Sequence, residues 1–300
     1  MHEFLTQETS DSIKSSNPIR GIEVLNDAQE DVTITRVTIK TKEGEEKLGK
    51  PIGNYITLEV PKIKEQDLIF HERVSDILSK EIRKLINIEE KANVLVIGLG
   101  NKDITSDSLG PLVVSKLTIT RHIVNYMPDL IDKDVRPVCA VATGVLGTTG
   151  IETFEIVKGI VEKVCPKLVI VIDALSARSI SRISTTIQIA DTGIAPGSGV
   201  GNKRKELSQN TLDVPVISIG VPTIIDRDTM VYDILREVLE KTNQCIDNEE
   251  KERILTGLIE NSKDNFMVTP KEIDIQIDRA SKIIAKALNM ALQPKGIVKD

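Results

Sequence analysis

The sequence contains no tryptophan, three tyrosines and four phenylalanines. A core of this composition has to be built from Ile, Val, Leu and Ala. The scarcity also argues against a surface that stacks bases or sugars on aromatic faces. Basic charge is not in excess: 39 Lys and Arg stand against 45 Asp and Glu, a formal net charge of -6. That balance makes a nucleic-acid backbone an unexpected direct partner without a local basic patch. The three cysteines, Cys139, Cys165 and Cys245, match no zinc spacing, and their odd number fits a reducing compartment. The three histidines, His2, His71 and His122, are too scattered to mark a metal site. No apolar run approaches the roughly 18 residues that span a bilayer, and the start "MHEFLTQETSDSIKSS" has no signal-peptide core. An intracellular chain with no membrane partner is expected.

What is present reads as an α/β protein. Residues 1–20 are polar and aperiodic and are expected to form a mobile arm, with residues 21–300 a single domain. "DVTITRVTIKTK" (31–42) alternates as a half-wet strand, and "GNYITLEVP" (53–61) reads as a second strand able to pair with it. Residues 72–89 carry apolar positions at helical spacing. Five buried-looking strands follow at 93–100, 135–142, 168–175, 184–191 and 214–222. Helical patterns stand between several of them, at about 110–126, 150–164 and 226–242. This alternation predicts a mostly parallel sheet with helices on both sides. Residues 246–263 read as a charged helix. "TPKEID" predicts a helix over 270–292, with Thr269 as its cap, Pro270 at its first helical position and Glu272 in its first turn.

Ligands of open α/β sheets bind beyond the carboxyl ends of the strands, and three such ends carry unusual residues. In "GLGNKDITSDSLGP" (98–111), Gly98 and Gly100 fit a dinucleotide fingerprint, but Asp103 stands where the third glycine belongs and would repel a pyrophosphate. No P-loop lysine-serine pair is present. The acid of interest is Asp107, which is either a helix cap or a functional carboxylate. In "VIVIDALSARS", Asp173 closes an apolar strand, a costly place for a charge without a partner such as Arg178. In "ADTGIAPGSGVGNKRKELS" (190–208), Asn202, Lys203 and Arg204 either face a site or form a solvated cluster. No G-x-S-x-G elbow and no local Cys–His pair exists. Two carboxylates at strand ends remain as candidate acid and base.

Taken together, "VIGLGN", "SDSLGP", "TGIET", "VIDALSARS", "TTIQIADTGIAPGSGVGNKRKELS", "VPVISIGVPT" and "MVTPKEID" resemble, in the same order, the germination protease family of spore-forming bacteria. The resemblance implies an endopeptidase of the spore core, in the forespore cytoplasm, that degrades small acid-soluble DNA-binding spore proteins at germination. It implies a self-processing zymogen, a homotetramer, and no cofactor, metal or direct nucleic-acid contact. The implied fold is a three-layer αβα sandwich of the phosphorylase/hydrolase-like kind, shared with hydrogenase-maturation proteases. Here it would have a mostly parallel central sheet and an added N-terminal antiparallel strand pair. The family's implicated aspartates match Asp107 and Asp173. Asn101 and Asn202 are expected to orient the acids or hold an oxyanion. Lys203 and Arg204 are expected to bind acidic residues near the scissile bond, because the family cuts after a glutamate. The nearest processing match is Glu3–Phe4, whose cleavage would release a tripeptide. The chain departs from the family in a short segment before the "MVTPKE" helix.

Three other readings stand beside this one. A nucleoside phosphorylase or hydrolase would use Arg178, Ser198 and Lys203 around a phosphate or ribose. A nickel-recognising maturation protease would add a histidine such as His122 to the two acids. A non-enzymatic binding protein would explain the glycine-rich loops but not an acid at each strand end.

Overall fold

The computed structural model describes residues 3–4, 20–29, 31–196, 205–241, 253 and 266–293. Among the described residues, nine strands form one sheet: β1 (Ile22–Gln29), β2 (Val32–Ile39), β3 (Gly53–Glu59), β4 (Val94–Leu99), β5 (Val138–Gly144), β6 (Leu168–Ser176), β7 (Thr186–Ala190), β8 (Val216–Asp226) and β9 (Met267–Val268). Their order is β1-β2-β3-β7-β8-β6-β4-β5, with β9 added to β8. The half β8-β6-β4-β5 is parallel, and the half β1-β2-β3-β7 is antiparallel and joins β8 through β7. The helices are α1 (Lys42–Leu48), α2 (Leu68–Leu85), α3 (Leu109–Lys116), α4 (Arg121–Tyr126), α5 (Leu146–Thr149), α6 (Thr153–Val164), α7 (Gln209–Leu212), α8 (Arg227–Lys241) and α9 (Ile273–Leu292).

The near-continuous apolar runs of β4, β6 and β8 are buried on both faces, as inner parallel strands require, whereas β5 at the edge is only partly buried. On one face Val94, Val96, Ile170, Ile172, Ile217 and Ile219 pack with α2, α3 and α9 through Val74, Leu78, Ile82, Leu109, Val113, Ile277 and Ile284. On the other, Leu95, Ile97, Val169, Val171 and Leu175 pack with Val157 and Val161 of α6 and with Val37, Ile39 and Tyr55 of the antiparallel half. Each such aliphatic side chain contributes about 1.5–3 kcal/mol on burial, and the two layers together fix the plane of the sheet.

The structure departs from the sequence reading in several places. β2 and β3 do pair antiparallel, but the outer edge is β1, whose "IEVLNDAQ" has no clean alternation because it is exposed along most of both faces, with only Ile22 buried. The single helix expected over 110–126 is two. Thr120, fully buried between them, donates its hydroxyl to Arg136 O and accepts from Val138 N at 2.9 Å, which ties the chain to β5. Thr269 does not cap the last helix. Its hydroxyl donates to Thr223 O at 3.0 Å, and α9 starts only at Ile273. The charged helix expected over 246–263 lies outside the described residues, apart from Arg253. Of the N-terminal arm, only Glu3, Phe4 and Arg20 are described, and Glu3 and Phe4 are buried.

Candidate active site

β4 is followed directly by Gly100, with φ of 106°. A Cβ built there would sit 2.0 Å from the Asp107 carbonyl oxygen, so the loop closes on itself only because this residue is glycine. The loop is then wound by local bonds. Asn101 Oδ1 accepts from Asp103 N at 3.0 Å, Ile104 N donates to Asn101 O, and Asp107 N donates to Ile104 O. The Asp107 carboxylate reaches back and accepts from Asn101 N at 2.7 Å. It is therefore a loop-closing group in the short 3-10 turn Thr105–Asp107, and the residue at the α3 N-terminus is Ser108. The turn is fixed from outside as well: Thr223 Oγ1 donates to Ser106 O at 2.7 Å, and the turn packs against β6, β8 and α9. Asp107 keeps part of its surface exposed.

Asp173 is buried in β6, at 6% exposure. Its Oδ1 accepts from Ala174 N at 2.9 Å, a hydrogen bond that offsets part of the burial cost. It stands in register with Gly220 of β8. Because β4 and β6 are parallel neighbours, the turn after β4 and the end of β6 lie at the same end of the sheet. Both acids therefore lie where open sheets bind their ligands.

Glu3 and Phe4 come to this end too. Glu3 N donates to Ser176 O at 3.2 Å, and Phe4 N donates to Gln188 Oε1. The Glu3 side chain is fully buried. Its Oε1 accepts from Arg182 Nε at 2.7 Å and from Thr186 Oγ1 and Gln188 Nε2 at 3.4 Å, and its Oε2 accepts from Arg178 N at 3.1 Å. Arg182 also holds Glu59 Oε1 through Nη1 at 3.1 Å. Phe4 joins the apolar cluster of Leu175, Tyr55 and Ala190.

The structure thus brings Asp107 and Asn101 together and sets Asp173 at the neighbouring strand end. Asn202, Lys203 and Arg204 lie outside the described residues. Sequence reasoning missed Arg182 and Gln188. The available signal was Gln188 itself, a polar residue in the middle of the apolar strand "TIQIA" that is fully buried in the fold. Among the described residues, no group of three or more His, Cys, Asp or Glu is placed to hold a metal ion, and no helix is long and apolar enough to cross a membrane.

The family model for germination protease matches residues 1–246. The chain is 46% identical to the germination protease of Clostridium acetobutylicum over 297 residues, which covers 94% of this chain and 91% of that one. It is 41% identical to the germination protease of a Geobacillus species over 341 residues, covering 97% and 91%. A solved structure of a NiFe hydrogenase maturation protease from Thermococcus kodakarensis aligns with a TM-score of 0.34 at 16% identity, covering 69% of this chain and 98% of that one. On the extent of these sequence matches, the chain belongs to the germination protease family.

Proposed function

We propose that this chain is an endopeptidase of the spore core that degrades small acid-soluble DNA-binding spore proteins at germination. In this reading it is made as a self-processing zymogen in the forespore cytoplasm and works as a homotetramer, on a three-layer αβα sandwich. Membership of the germination protease family supports the peptidase activity and its setting in spore germination. The observation that carries the chemistry is the placement of Asp107 and Asp173 at the same end of two neighbouring parallel strands.

The proposed reaction uses one carboxylate as general base and the other as general acid. The base takes a proton from water as the water oxygen bonds to the peptide carbonyl carbon. The acid gives its proton to the amide nitrogen as the C–N bond breaks. One water is consumed, and a carboxylate and an amine leave. Asn101, whose N–H fixes the Asp107 carboxylate, acts as the positioning residue for that acid. Asn202 is assigned to the oxyanion, and Lys203 and Arg204 to acidic residues beside the scissile bond. Glu3–Phe4 is assigned as the self-processing bond.

The test is incubation of a purified small acid-soluble spore protein with the full chain, before and after limited N-terminal trimming, with the new N-termini sequenced. Fragments that begin after glutamate support the reading. An intact substrate in both arms refutes it.

A further inference from the structure

Arg182, Gln188 and Thr186 form a cradle whose occupant is an acidic side chain from the chain's own N-terminus. We propose that this cradle is the specificity pocket for the substrate glutamate, and that Glu3–Phe4 fills it in cis as a competing occupant. The inference rests on the peptidase reading above and adds to it the residues that select the cleaved bond.

Three observations carry it. The first is that the Glu3 carboxylate is read from both oxygens by four donors: Arg182 Nε, Thr186 Oγ1, Gln188 Nε2 and the Arg178 backbone N–H. An uncharged isostere would lose the charge-assisted part of every one of these bonds. The second is that Arg182 does not depend on Glu3 alone. Glu59 Oε1 also stands 3.1 Å from its Nη1, so the guanidinium has a second counter-charge besides the occupant, as an exchangeable occupant requires. Its buried Nη2 has no hydrogen-bond partner among the described residues, so a further donor is on offer.

The third observation is the position of the peptide bond that follows. Phe4 N, the nitrogen of the Glu3–Phe4 bond, is held by Gln188 Oε1. Gln188 is in register with Gly220, and Gly220 is in register with Asp173 on its other side. Residues in register share a face of the sheet, and the residue between the two has no side chain. One glutamine therefore touches the glutamate carboxylate and the following amide, on the same row as a proposed catalytic acid. Phe4 belongs to the buried apolar cluster that also holds Leu175, Tyr55 and Ala190, which favours an apolar residue next in sequence. The occupant this geometry fits is an extended segment with glutamate followed by a large apolar residue.

The experiment uses the full chain and the fluorescein-labelled peptide HEFLTQE, with binding read by anisotropy and cleavage by chromatography. Glu3→Gln weakens the internal occupant and should tighten binding of this peptide by about tenfold over the wild type. The same variant should prefer the peptide by about tenfold over one in which glutamine replaces its first glutamate. Glu3→Gln/Arg182→Gln should erase that preference, with folding verified by circular dichroism. Equal peptide affinity in wild type and Glu3→Gln, or no preference for glutamate over glutamine in Glu3→Gln, overturns the pocket without any appeal to the Arg182 variant. Selective binding with no cleavage by any form leaves the pocket standing and overturns the peptidase reading instead.

Discussion

Gln188 and Asp173 stand on one row of the sheet, each paired in register with Gly220 between them. At the ordinary strand spacing their backbones are roughly 10 Å apart. They point to the same face, where Val171, Leu175 and Ala190 form the neighbouring packing. The gap left by the glycine is partly covered by Leu175, whose side chain would lie 2.5 Å from a Cβ at position 220.

Gly220→Ala tests that row. Leu175 is fully buried and has little room to retreat, so overpacking should cost about 1–3 kcal/mol. The expected result is a lower melting temperature together with weaker cleavage. An unchanged melting curve would show that Leu175 moves aside freely.

Gly100→Ala tests the loop that fixes Asp107. The added carbon meets a backbone oxygen, not a movable side-chain end, and the residue is held at φ of 106°. Backbone strain of this kind costs about 1–3 kcal/mol. Because the displaced atom belongs to Asp107, cleavage should fall further than the thermal stability accounts for. Urea unfolding alongside a cleavage assay separates the two effects.

The Arg36–Glu81 pair joins β2 to α2 through two bonds of 2.8 Å. Burial would raise the Glu81 carboxyl, but hydrogen bonds from Arg36 and Lys84 outweigh it and hold the group below its ordinary 4.5. A depressed carboxyl stabilises the fold fully above its unfolded value. The contribution is lost as pH falls from about 4.5 through the lower folded value. Glu81→Gln should therefore cost about 1.5–3 kcal/mol at neutral pH and flatten the acid side of the stability profile. Urea midpoints of both proteins from neutral pH down to acid check this, and parallel profiles would contradict it.

Tyr55 gives the opposite limb. Burial pushes its phenol up to about 12, although a hydrogen bond with Thr192 pulls the other way, and its hydroxyl donates to Pro51 O at 2.7 Å. The fold favours the neutral phenol, so this stabilisation is present below the ordinary value of 10.0 and is lost as pH rises through about 12. Ultraviolet titration should show a tyrosine step near pH 12 that Tyr55→Phe removes.

β4, β6 and β8 were legible because each is an apolar run buried on both faces, and Asp107 and Asp173 stood out as candidates because an acid at or beyond the end of such a run needs a reason. β1 was not legible, since an edge strand exposed on most of both faces carries no alternation. The break at Thr120 was hidden because its hydroxyl bonds to Val138 of β5 and to Arg136 just before that strand, which no local pattern reveals. The Glu3 cradle was the least readable part. Its members come from positions 3, 178, 182, 186 and 188, and only the fold brings the first of these to the others. Gln188 was the one member with a visible anomaly, a buried amide inside a β-branched strand.

The most direct measurement of the aspartate account is the cleavage rate of a small acid-soluble spore protein by N-terminally trimmed wild type, Asp107→Asn and Asp173→Asn, with circular dichroism confirming that all three are folded. The account predicts cleavage by the wild type and a loss of about 10²–10⁴-fold in each asparagine variant. Cleavage by either folded variant at the wild-type rate would contradict it.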